Sequence, residues 1–273
     1  MATVDYTRVI ASAQERRARG PRWRALRSNV PGILLRLVSI ALFLLIWSAF
    51  SLLPWAVQVP SPADVLNSAL RLDAREYATD LWLSASRVIL GFAVAAIVGI
   101  PLGILIGYSQ ILRDLLFTPV ELLRPVPPIA WIPLAILFFP AIDWMIIFLT
   151  FYGAFFPIVY NTVAGVSNIR ATYLRAGQSL GASKWTLFWE VVLPATLPVI
   201  FTGLYIAIGV AWLMVVAGEM IANKGGIGAM TWQSYQTTQY PMIFVGMASI
   251  GVLGYMSSLL VRGLARLVIR WES

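Results

Sequence analysis

The chain has 273 residues, of which 59% are hydrophobic and only 12% charged, and its formal net charge is +8. Charged residues stand at about half the roughly 25% usual in soluble domains and the mean hydropathy is +0.80, which excludes an ordinary water-soluble globule. Cysteine and histidine are both absent, so disulfides, Cys/His metal sites, thiol nucleophiles and histidine general bases are excluded as well.

The apolar residues fall in blocks of about 20, the length a helix needs to cross a bilayer. These predict an all-α polytopic membrane protein with six spans. Residues 1–32 are polar and basic, with Arg8, Arg16, Arg17, Arg19, Arg22, Arg24 and Arg27, and read as a cytoplasmic arm. Ile33–Leu53 is the first block; it is longer than a signal-peptide core and lacks a small-residue cleavage site, so it reads as a retained anchor. Pro54, Pro60 and Pro62 then break the chain, and Ala63–Asp80 reads as a short amphipathic segment outside the bilayer, closing a first region at residues 33–80.

A five-span core is expected over residues 81–268. Leu81–Tyr108 is the second span, and its Gly91, Gly99, Gly103 and Gly107 recur at intervals of eight, four and four. That spacing predicts a helix face open to close backbone approach. The third span, Leu115–Phe139, is interrupted by Arg124-Pro125-Val126-Pro127-Pro128, where the helix must kink or break and the irregular backbone must be buried or line a cavity. Ile142–Gly165 and Pro194–Gly218 are the fourth and fifth spans, separated by a polar segment, residues 166–193. After an irregular loop, Glu219–Tyr240, the sixth span runs from Met242 to Val268 and leaves a short tail, residues 269–273.

Orientation follows from the basic residues. With the N terminus inside, the arm with Arg36, then Arg113, Arg170, Arg175, Lys184, Arg262, Arg266 and Arg270 place fifteen cations on the cytoplasmic side, against Arg71, Arg75 and Lys224 outside. This bias predicts cytoplasmic termini and accounts for the basic charge without nucleic acid.

The segment from Arg175 to Pro194 reads RAGQSLGASKWTLFWEVVLP. Gly181 can join two short helices through a positive φ, and Pro194 suits the first turn of the next span. Trp185, Phe188 and Trp189, three and four residues apart, share a face, which either packs on the protein's own inner rim or meets a partner. The segment resembles the EAA loop of ATP-binding-cassette importer permeases, in which Glu-Ala-Ala is followed after three residues by Gly and after nine more by Ile, one residue and Leu-Pro. Ala176, Gly181, Leu193 and Pro194 match at that spacing; Arg175, Gly177 and Val191 depart from it. Further landmarks resemble the nitrate, sulfonate, taurine and bicarbonate branch. These are Val59-Pro60-Ser61-Pro62, Ser84-Ala85-Ser86-Arg87-Val88, Leu123–Leu134, and Ala217-Gly218-Glu219-Met220 with Gly226-Ile227-Gly228.

The resemblance implies a type I importer permease in the cytoplasmic membrane. It would act as a homodimer, with two ATPase subunits below and an extracytoplasmic binding protein delivering a small anion. It implies that residues 166–193 form a coupling helix, with Gly181, Ala182, Trp185 and Phe188 docking on the ATPase. ATP and Mg would sit in that partner, with no cofactor on this chain and no catalysis by it; the sequence has only Lys184 and Lys224 and no phosphate loop around either.

Arg87 and Arg124 are the two cations inside spans and require partners or water. Arg124 would line the path and attract an oxyanion with its planar fork of donors, or pair with Glu121. Arg87 would snorkel or pair with Asp80. Glu219, in the glycine-rich outer loop, and Trp212, in an apolar gate, complete the candidate path. Rival readings are import of an aromatic or pyrimidine-like nutrient, a self-contained channel or secondary carrier using the broken helix, and, remotely, a membrane enzyme.

Overall fold

The computed structural model describes residues 32–269. The basic arm and the end of the C-terminal tail therefore lie outside the described residues. The chain divides into a unit ending at Pro62 and a unit from Ala63 onward.

In the first unit α1 (Gly32–Ser51) carries one charge, Arg36, among bilayer-length apolar residues. Its C-terminal side is tied down locally: Trp47 Nε1 donates to the Pro60 carbonyl at 3.0 Å, and Phe50 and Trp55 meet edge-on at 5.0 Å.

The second unit begins with α2 (Pro62–Leu70) and α3 (Ala74–Tyr108), whose N-cap Asp73 accepts from the backbone N–H groups of Arg75 and Glu76. The second span is thus longer than expected, because this cap draws Ala74–Asp80 into the helix instead of leaving them in an outer segment. The third span breaks as the prolines require, into α4 (Gln110–Leu123) and α5 (Pro128–Phe138) bent by 87°. There follow α6 (Ile142–Ser167), α7 (Ala171–Ser179), α8 (Lys184–Ala222), α9 (Ile227–Gln236) and α10 (Tyr240–Val268). Among the described residues five helices, α1, α3, α6, α8 and α10, are long and apolar enough to cross a membrane, and a sixth span results if α4 and α5 count as one.

Two expectations are corrected. The loop proposed for Glu219–Tyr240 contains α9, and Glu219 itself lies within α8. Pro194 does not start a helix, because α8 begins ten residues earlier and runs through it. A proline collides with the carbonyl four residues back, and here a π-helical turn at Phe188–Val192 widens the backbone around that carbonyl. Pro119 is accommodated in the same way, by a π-helical turn at Arg113–Phe117.

At the centre of this unit stands α6, packed between α3 and α8. The glycine stripe of α3 meets it as expected. A Cβ on Gly91 would lie 2.5 Å from Thr150 Cβ, on Gly103 2.6 Å from Thr162 Cβ and on Gly107 2.7 Å from Val166 Cβ, while Gly99 faces Ile158. Each partner lies 59 residues downstream, so α3 and α6 run parallel and in register. The threonines suit the site. Thr150 and Thr162 donate their hydroxyls to the carbonyls of Ile146 and Ile158 at 2.8 Å, which satisfies the polar group within its own helix and leaves the methyl for the glycine. Thr196 of α8 repeats the device, bonding to Val192 at 2.7 Å with its methyl on Gly165.

Candidate functional site

The loop between α6 and α8 is closed by backbone geometry. Gly181 has φ +85°, Ala182 N–H donates to Gly177 O and Gly181 N–H to Gln178 O, both at 3.0 Å. This double closure is a Schellman motif, which needs a left-handed residue after the helix. Ser183 then caps α8, accepting from Thr186 N–H at 3.1 Å. Gly177, a departure from the loop's sequence pattern, has a local cause: a Cβ there would stand 2.5 Å from Leu187 Cδ2, and Leu187 is buried.

The apex is exposed. Leu180, which no sequence pattern singled out, is 88% exposed, beside exposed Gly181 and half-buried Ala182. Ala176 lies exposed on α7, whereas Leu193 and Pro194 are half-buried inside α8. The aromatic face divides. Trp185 is 70% exposed, but Phe188 sits edge-on to Tyr108 of α3 at 6.3 Å.

At the bend between α4 and α5, Arg124 does not pair with Glu121; both are exposed, and the guanidinium lies over the Tyr160 ring, 4.4 Å from its centroid. Attraction to the ring face leaves the positive charge in place. Tyr152 Oη donates to Leu123 O at 2.9 Å, answering one carbonyl near the break. Among the described residues Trp131 Nε1 and Tyr160 Oη are buried there without a hydrogen-bond partner.

Arg87 is buried at 2% exposure and has partners other than the expected Asp80. Its Nη1 donates to Glu219 Oε1 at 2.8 Å and to Gly225 O at 3.0 Å. Nη2 donates to Asp143 Oδ1 at 2.5 Å and Lys224 O at 3.2 Å, and Nε to Asp143 Oδ1 at 3.1 Å. All five guanidinium donors are used. Glu219 is fully buried and also accepts from Ser84 Oγ and from Gly228 N–H, each at 2.9 Å. Asp80 instead accepts from Gly226 N–H at 2.8 Å. The cluster joins α3, α6, α8 and the start of α9, and its charges face one another. Asp143, overlooked in the sequence, is the one charged residue of α6, which was the available signal. Trp212 is buried too, donating to Ser257 Oγ of α10 at 3.1 Å.

The profile of binding-protein-dependent transport system inner membrane components matches residues 99–272. The chain belongs to this family. This inner membrane component is 34% identical over 252 residues to the nitrate import permease protein of Synechocystis sp., an alignment covering 89% of this chain and 91% of that relative. It is 35% identical over 277 residues to the bicarbonate transport system permease protein of Synechococcus elongatus, covering 96% and 99%. An inward facing structure of the MetNI methionine ABC transporter shares the fold, with a TM-score of 0.62 at 17% identity over 71% of this chain and 97% of that one. The protein is thus an all-α, multi-pass permease subunit of an ABC importer, in the nitrate and bicarbonate branch.

Proposed function

We propose that this permease forms the membrane passage for a small oxyanion and moves it with energy from a separate ATPase that docks on the apex at residues 180–183. A binding protein would deliver the anion on the opposite face, and two copies of the chain would frame the passage. The observation that carries the docking assignment is the Schellman-closed apex, which presents a leucine that is 88% exposed among the described residues. The closed backbone leaves only the leucine's own rotamers to be ordered when a partner covers it, so burial costs little conformational entropy beyond the side chain's. Leu180→Glu should reduce co-purification of the ATPase about tenfold or more, as a charge placed in an apolar pocket costs more than 1.4 kcal/mol. Unchanged co-purification and unchanged coupled ATP hydrolysis would refute the assignment.

The oxyanion reading rests on Arg124, which pairs with no carboxylate among the described residues and lies over the Tyr160 ring. Uptake of labelled nitrate, bicarbonate and an alkyl sulfonate by the complete transporter tests it. An aromatic heterocycle remains the second reading, because Trp131, Phe148, Tyr152 and Phe156 form a chain of ring contacts beside the same break at 4.9 to 6.4 Å. Uptake of an uncharged pyrimidine with none of the anions would favour it.

A further inference from the structure

Along α3, Arg87 and Tyr108 are separated by about 32 Å at 1.5 Å per residue, close to the roughly 30 Å hydrocarbon core of a bilayer. Residues 88–107 between them carry no charge. A stretch of this length can cross the hydrocarbon by itself, which would put the Arg87 cluster at one boundary and Tyr108 at the other. At the Tyr108 boundary a groove of about 360 Å³ runs between the end of α3 and the first turns of α8, lined by Ile104, Leu105 and Tyr108 on one side and Lys184, Trp185 and Phe188 on the other. Apart from Ser109 its walls are aliphatic and aromatic, and among the described residues that line it the exposed Lys184 is the one cation.

We propose that this groove binds one acyl chain of an anionic phospholipid, with Lys184 holding the phosphate. Depth selects the occupant. Ile104 and Leu105 belong to the uncharged stretch of α3, inside the hydrocarbon, where an acyl chain reaches and a water-soluble ATPase does not. Charge agrees, since the one cation stands where a headgroup would lie, and Tyr108 and Trp185 are the amphipathic rings that favour this level. The Phe188–Tyr108 contact makes the groove a joint between α3 and α8, so a bound chain would brace the base of α8 without occupying the apex. This inference requires only that α3 spans the membrane, and it stands independently of the transported substrate.

The test uses the complete transporter in nanodiscs of equal phosphatidylglycerol and phosphatidylcholine, with retained lipid read by native mass spectrometry. The wild type should retain phosphatidylglycerol in preference. Lys184→Gln should lower that retention about fivefold, the factor expected for one basic side chain near a lipid phosphate, and leave phosphatidylcholine unchanged. Ile104→Trp, which fills the groove, should remove both. Equal retention of the two lipids by the wild type, or retention unaffected by either variant, overturns the proposal. Loss of the ATPase from Ile104→Trp with lipid retention intact also overturns it and assigns the groove to the ATPase. Lys184 is exposed, so its variant remains decisive even if Ile104→Trp fails to assemble.

Discussion

Replacing Arg87 with methionine would leave Glu219 fully buried and facing only Ser84 and the Gly228 amide. Removing one member of a buried ion pair typically costs about 3–5 kcal/mol, because the survivor stays desolvated and unpaired. Arg87→Met should therefore lower the unfolding midpoint of the detergent-solubilised permease sharply. Adding Glu219→Gln should recover part of the loss, since the amide oxygen still accepts and the orphaned charge is gone. Asp143→Asn should cost less than Arg87→Met, because that side chain is 49% exposed and hydrates readily. If the double variant proved less stable than Arg87→Met, the cluster would owe its stability to something other than charge pairing.

The element scale is governed by the joint between α3 and α6. Gly103→Leu would drive a side chain into Thr162 and the Val159 carbonyl, and overpacking of this kind costs about 1–3 kcal/mol or separates the helices. Gly209→Ala should be tolerated, since nothing lies within 4 Å of its Cβ position. Monodispersity by size exclusion, with thermal stability, distinguishes the two, and equal tolerance would show that the stripe is not a packing seam. This joint was legible in the sequence because glycines at intervals of four and eight mark one face of any helix. The proline break was legible for an equally local reason, the lost donors of Pro125, Pro127 and Pro128. The partners of Arg87 were not, because Asp143 and Glu219 lie 56 and 132 residues away and only tertiary packing brings those helix ends together. Nor was α9, whose first residues Ile227-Gly228-Ala229 follow three loop-forming residues and lack a strong apolar period. Pro194 misled for a comparable reason, since a π-helical turn upstream is invisible to a reading that treats proline as a start signal.

On the scale of the whole molecule, α8 is the member that unites the candidate sites, running from the base of the docking apex at Lys184 to Glu219 in the ion cluster. At 1.5 Å per residue that distance is about 52 Å, so a push at the apex is carried to the far side by one helix. Ile206 is about halfway along and 46% exposed; Ile206→Pro should kink the helix there. The proposed coupling then predicts that the ATPase still co-purifies while substrate uptake falls about tenfold or more, the consequence of losing over 1.4 kcal/mol of productive coupling. Full uptake with a kinked α8 would exclude the helix as the transmitting element. The constant 59-residue offset between α3 and α6, and the still longer reach from Arg87 to Glu219, also set a schedule for biosynthesis. At about 5–20 residues per second, Arg87 is made roughly 3–11 s before Asp143 and roughly 7–26 s before Glu219, and the glycine face of α3 stays bare until α6 follows. Because Arg87 closes the uncharged stretch of α3 rather than interrupting it, the unfinished chain would hold that charge where water can solvate it until its partners are made.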